Sequence, residues 1–163
     1  MAHIMTSRPD AGPLRTTATR ADRAARRPID LGAATHAVLR IGAGILFFQH
    51  GAQKMLGWFG GFGGEAGATA PLFTLMGLAG VLELLGGALL VLGLFVRPVA
   101  FVLAMEMVAA YAIAHMPQGG WPVQNQGELA LLYALVFTFF AAHGAGPLSL
   151  DRSIRPGWRK EAR

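Results

Sequence analysis

Cysteine is absent from all 163 residues, which excludes disulfides, thiolate redox pairs, iron–sulfur clusters, thiolate zinc sites and cysteine-attached lipids. Any redox chemistry must therefore come from a bound cofactor. Charge is scarce as well: 14% of residues are charged and 53% hydrophobic, where an ordinary soluble domain is about a quarter charged. Between residues 41 and 150 the only Lys, Arg, Asp or Glu residues are Lys54, Glu65, Glu83, Arg97, Glu106 and Glu128. Water could not solvate such a chain as a globule. The net charge of +5 and pI near 10.7 could point to nucleic acid, but the basic residues sit in the terminal tails beside apolar runs. No nucleic acid is expected; anionic lipid headgroups are the fitting counterions.

What the chain does have is long hydrophobic runs. Crossing about 30 Å of hydrocarbon takes about 20 helical residues, and four segments approach that length: 31 to 56, 71 to 96, 98 to 116 and 128 to 143. Inside lipid every backbone amide must be satisfied within its own segment or in a closed barrel, and runs this long and apolar mean helices. Short links between them make neighbours antiparallel, and Pro98 suits a first helical turn that needs no amide donor. The fold class expected is all-α, a membrane four-helix bundle. Gly80, Glu83 and Gly87 fall on one face of the second segment, where small residues let another helix approach.

Flanking charge sets the orientation, because cytoplasmic flanks retain Lys and Arg. Six arginines precede residue 31 and five basic residues follow residue 150, while the links between spans hold only Lys54 and Arg97. Both ends are thus expected in the cytoplasm, with residues 1 to 30 a disordered basic tail and 151 to 163 a second basic tail. Arg26-Arg27 resembles a twin-arginine export signal only superficially, since no small-residue cleavage site follows, and the first helix is expected to be retained. Trp58 and Trp121 mark the outer interface and Trp158 the inner side.

Ionisable residues inside the spans carry the functional information, since each costs about 2.5 to 3.5 kcal/mol at the bilayer centre on insertion scales. Counting about 1.5 Å per residue from the inner side puts Arg40 and Glu106 at one level, with Glu83 about a turn further out. These three form a proposed buried polar network, one cation against two acids: either the layer holds net negative charge or one acid carries a proton. It serves either as a functional site or as an ionic network that fixes helix register, and burial alone does not decide between them. Nearer the outside, His50, Lys54, His115, Glu128 and Tyr133 form a candidate outer polar pocket. Each of these also has a plainer role. Lys54 can snorkel to the headgroups, His115 can sit at the interface, and Glu128 can satisfy amides at a helix start capped by Asn125. Tyr133 brings a hydroxyl to depth that needs a partner. No metal site is expected, because no metal-binding spacing supports one. The catalytic residues, if any, stay unassigned.

Three stretches carry a family resemblance: Arg40-Ile-Gly-Ala-Gly-Ile-Leu-Phe-Phe-Gln-His50-Gly-Ala-Gln-Lys54, then Gly80-Val-Leu-Glu83-Leu-Leu-Gly-Gly87 through Arg97-Pro98, then Asn125-Gln-Gly-Glu128-Leu-Ala-Leu-Leu-Tyr133 ending in Gly146-Pro-Leu-Ser-Leu-Asp151. Over about residues 35 to 151 the sequence resembles the DoxX family of small four-helix membrane proteins. The resemblance implies a bacterial cytoplasmic-membrane protein associated with redox pathways, with a quinone as the implied cofactor. Two functions are compatible with the residues. One is a quinone-linked redox subunit. The other is a non-catalytic scaffold that recruits a soluble redox protein, in either case as a single copy or a homo-oligomer.

Overall fold

The computed structural model describes residues 30–154. Residues 1–29 and 155–163, including most of the expected basic tails and Trp158, lie outside them. Among the described residues the chain is all-helical, with no strand. Helix α1 spans Leu31–Leu56, α2 Leu75–Leu92, α3 Val96–Ala110, α4 Glu128–His143 and a short α5 Leu150–Ile154. Helix α3 runs on through a π-helical turn, Tyr111–His115, and a 3-10 turn, Met116–Gln118.

Three of these rods, α1, α2 and Val96–Gln118, are long and apolar enough to cross a membrane. The fourth, α4, is apolar but has 16 residues, about 24 Å at the usual helical rise, short of the roughly 30 Å of hydrocarbon. Large apolar side chains point outward along all four, among them Ile45, Leu78, Leu85, Phe101, Met105 and Leu135. In water these faces would form an apolar surface far larger than a soluble monomer carries.

Local chemistry fixes the helix ends. Asp30 caps α1 by accepting from the Ala33 amide at 3.1 Å, and Thr74 caps α2 by accepting from Gly77 at 3.1 Å. Such caps satisfy amides that the first turn leaves unpaired. Helix α2 is shorter than the expected 71 to 96 at both ends. Residues 71–74 form the turn that Thr74 closes, and Gly93 stops the helix in the left-handed conformation at φ 69°, which glycine adopts without a Cβ penalty. Helix α3 begins beyond Phe95, itself left-handed at φ 50°, and Pro98 sits in its first turn.

Helix α1 packs most extensively on α2, and α3 on α4; the seam between α2 and α3 is thinner. Glycine sets the first of these contacts. A Cβ on Gly51 would lie 2.2 Å from the Leu84 amide nitrogen, and one on Gly87 would lie 2.6 Å from that of Phe48. The backbones touch, as small residues permit. The α1–α4 contact is aromatic instead. Phe47 meets Phe137 edge-on at 4.7 Å and Tyr133 at 5.1 Å, while Tyr133 and Phe137 stack at 5.5 Å.

The bundle thus has a near end, with Asp30, the α2–α3 turn and residues 144–154, and a far end with the two longer loops, 57–74 and 119–127.

Candidate functional site: a lysine–glutamate pair beside a second glutamate

The glycine contacts fix the antiparallel register of α1 against α2. Gly44 faces Val91, Gly51 faces Leu84, and Gly80 faces Lys54 and Met55. This register brings Lys54 beside Glu83, and its ammonium donates to Glu83 Oε1 at 2.5 Å. Glu83 is 4% exposed and the Lys54 side chain 19%. Lys54 therefore turns inward onto Glu83, where each charge supplies the counterion that the other needs in an apolar setting.

The register across the α2–α3 seam adds the second acid. Gly86 lies against the Leu103 side chain, so Glu83, three residues before Gly86, is level with Glu106, three residues after Leu103. Glu106 lies within electrostatic range of both Glu83 and Lys54. Glu83 Oε2 and both Glu106 oxygens are buried with no hydrogen-bond partner among the described residues. His50, one turn before Lys54, meets the Tyr133 ring edge-on at 6.2 Å. Both are near the pair, His50 within range of the Lys54 charge and Tyr133 within range of Glu83. Five residues from four helices thus converge: His50, Lys54, Glu83, Glu106 and Tyr133.

Arg40 is elsewhere, which corrects the expected Arg40–Glu83–Glu106 layer. It is 1% exposed, and its guanidinium donates to the backbone carbonyls of Leu90, Val91 at 2.9 Å and Leu148 at 2.5 Å. Depth counted from the start of α1 misplaces it. That helix overhangs: the glycine register puts the end of α2 level with about residue 43, so Arg40 lies beyond it. What Arg40 does instead is clamp residues 144–151 onto the α2–α3 turn. Asp151 completes the clamp by accepting from the Phe95 and Val96 amides at 2.9 and 3.0 Å, a cap for α3 supplied from outside the helix.

The expected outer pocket divides in the same way. His50, Lys54 and Tyr133 join the acids, whereas His115 and Glu128 do not. His115 Nδ1 is 2.9 Å from the Asn125 carbonyl oxygen and its ring stacks on Tyr111. Glu128 is exposed in the first turn of α4. Nor is Asn125 the cap of α4, a position held by Gly127. Its buried side chain pins the far-end loop instead, accepting from the Gly127 amide at 2.9 Å and donating to the Gly119 carbonyl at 2.8 Å. The Asn125 contact ties His115 to this loop.

Two contributors had no role in the sequence reading. His36, one turn before Arg40, packs against Phe139 and Phe140 at 5.6 and 5.2 Å; its spacing from Arg40 was the available signal. Asp151 caps a helix that begins 55 residues earlier in the chain, so no local pattern marks its role. Among the described residues no group of three or more His, Cys, Asp or Glu side chains is arranged to hold a metal ion.

Apolar helices that surround an ion pair and a second, half-buried acid define a multi-pass membrane protein in contact with lipid. The chain belongs to the DoxX family, whose model matches residues 35–116. It is 43% identical over 121 residues to an uncharacterised protein of Haemophilus influenzae, covering 72% of this chain and 89% of that one. It is also 29% identical over 120 residues to a Bacillus subtilis protein named "Putative oxidoreductase CatD", covering 74% of this chain and 87% of that one. No solved structure matches.

Proposed function

We propose that the protein is a redox-associated, quinone-linked membrane subunit, and that Lys54, Glu83 and Glu106, flanked by His50 and Tyr133, are its ligand site. The observation that carries this reading is the placement of two carboxylates and one ammonium at a single level of an otherwise apolar bundle. Three ionisable groups at that depth oppose membrane insertion by several kcal/mol in total. A packed apolar core is often as stable or more so, and the proposed ligand site accounts for their retention. The oxidoreductase name of the Bacillus relative lends support. With no thiol in the chain, a quinone in the site would supply the two-electron chemistry. The protein's own groups would hold its head in place and exchange protons with it, as proton-coupled chemistry needs.

The setting belongs to the same proposal: a bacterial cytoplasmic membrane, four crossings with α4 as the fourth, and both termini inside. Under this topology the near end, with its basic flanks, faces anionic lipid in the inner leaflet.

The test is titration of the purified full chain with a short-tailed quinone, followed by tryptophan fluorescence. The reading predicts saturable quenching that weakens at least tenfold in Glu83→Gln. Linear, unsaturable quenching in both proteins would refute it.

Arg40 favours a second reading, a non-catalytic scaffold that recruits a soluble redox protein, alone or as a homo-oligomer. Its hydrogen bonds all run to main-chain carbonyls, which is a structural use of a buried charge. Under that reading Glu83→Gln and Glu106→Gln would leave cellular function intact, while trimming residues 1 to 29 or 152 to 163 would abolish it.

A further inference from the structure

Helix α1 has two unlike sides. Gly44, Phe47, His50, Gly51 and Lys54 face α2 and α4. At about 100° per residue, Val38, Gly42, Ile45 and Gln49 lie on the opposite side. Val38, Ile45 and Gln49 are exposed there, and a Cβ on Gly42 would meet nothing within 4 Å.

Three of these four residues suit acyl chains. Gln49 does not, because its side-chain amide has no hydrogen-bond partner among the described residues. Other polar side chains on the helices find one within the chain: Gln53 donates to the Phe59 carbonyl at 3.5 Å, and Thr138 to the Ala134 carbonyl at 2.7 Å. Depth makes the difference sharper. The contacts of Gly44 with Val91 and of Gly51 with Leu84 put Gln49 level with Gly86, about 4 Å from the middle of α2 at the usual helical rise. That is near the centre of the hydrocarbon, where neither water nor headgroups reach and an unpaired amide is costly.

The amide itself indicates what removes this cost. It carries an acceptor oxygen and two N–H donors, so it is complementary to a second amide. Another copy inserted in the same direction brings its own Gln49 to the same depth without adjustment, and a two-fold axis beside the residue lets each amide donate to the other. The flanking residues fit such a contact. Val38, Gly42, Ile45 and Gln49 are spaced four, three and four apart, the alternation by which two helices pack along a shallow crossing. The open position at Gly42 lets the two backbones approach, as small residues do in membranes.

We propose that the outer face of α1 is the contact between two copies of this chain, packed in parallel about a two-fold axis with their Gln49 amides bonded to each other. The inference goes beyond the quinone reading and does not depend on it. Lys54 and Glu83 lie on the other side of α1, so each copy keeps a complete site.

The absence of cysteine makes this face directly testable in native membranes. Val38→Cys and Ile45→Cys, oxidised with copper phenanthroline, should each give a disulfide-linked species of twice the 17.2 kDa chain, since the axis brings each residue close to its counterpart. Phe101→Cys and Leu135→Cys, exposed on α3 and α4, should give none. Strength is read by energy transfer between donor-labelled and acceptor-labelled full-length protein, attached through Ser153→Cys, in vesicles of phosphatidylcholine and phosphatidylglycerol. Gln49→Leu and Gly42→Leu should each raise the protein-to-lipid ratio at half-maximal transfer by about tenfold. Gln49→Asn keeps the amide and should stay near wild type. Neither position is bonded or crowded within its own copy, so the variants should fold, with unchanged circular dichroism.

No transfer at any ratio would mean that acyl chains alone cover the face. Unaltered transfer in Gln49→Leu would mean that the amide does not hold the pair. Absence of the cross-links at positions 38 and 45 would place the contact elsewhere, and an adduct of any other mass would place a different protein on α1. Each of these results would overturn the proposal.

Discussion

Lys54 and Glu83 stabilise the bundle only as a pair. Either charge alone is a buried ion without a counterion, and removing one partner of such a pair typically costs about 3 kcal/mol or more, while replacing both by apolar or neutral groups is nearly neutral. Lys54→Met and Glu83→Gln should therefore each lower the melting temperature clearly, and the double variant should recover most of the loss. Thermal unfolding of the four proteins in one detergent gives the coupling energy directly. Additive losses would mean that the 2.5 Å contact contributes little. At the same scale, Asp151 supplies both its carboxylate oxygens to amides at the start of α3. Asp151→Ala should cost about 1 kcal/mol, as the loss of a helix cap does, with faster amide exchange confined to Phe95 and Val96 at first. Uniform acceleration along α3 would contradict a local cap.

At the scale of helices, the bundle rests on how closely α1 approaches α2. Gly51 faces the Leu84 backbone so tightly that a methyl group has no space, whereas a Cβ on Gly42, on another face of the same helix, meets nothing within 4 Å. Gly51→Ala should cost roughly 3 kcal/mol, near the upper end for overpacking, and should weaken the Lys54–Glu83 contact by pushing the helices apart. Gly42→Ala should be neutral or stabilising by up to about 1 kcal/mol through helix propensity. Equal melting temperatures for the two variants would rule out this packing.

The same helices show what the sequence makes visible. Long apolar runs and the glycine face of α2 are local patterns, so helical character and the need for a close neighbour at Gly80 and Gly87 can be read from spacing. The relative shift of two helices is not local. The overhang of α1 past α2 is set by glycine contacts between residues about 25 to 47 positions apart, and hydropathy carries no trace of it. Counting depth from the start of α1 therefore grouped Arg40 with the acids and left Lys54 outside. The individual site residues were legible as costly charges in lipid; their partners were not. The far-end loop is a similar case, because Asn125 makes its bonds to Gly119 and Gly127 through a turn geometry that only the folded loop defines.

For the whole molecule, the proposed topology turns on α4, whose 16 residues are few for a crossing. The absence of cysteine makes the matter directly measurable. Single cysteines at Glu65, Gln124 and Ser153 can be labelled in intact cells with a membrane-impermeant thiol reagent. Four crossings with both ends inside predict labelling at 65 and 124 from outside, and at 153 only after the membrane is opened. Labelling of 124 and 153 from the same side would mean that α4 does not cross. The site would then lie in a bundle of three crossings with α4 at the interface.

In the proposed function Glu83 and Glu106 meet a lipid-phase redox head. Infrared difference spectroscopy of the full-length protein with glutamate labelled by carbon-13, recorded on adding decylubiquinol, reads those carboxyl groups themselves. The account predicts a glutamate carboxyl band that shifts on ligand addition and loses intensity in Glu83→Gln and in Glu106→Gln. A difference spectrum without any glutamate signal, or one unchanged in both variants, would contradict it.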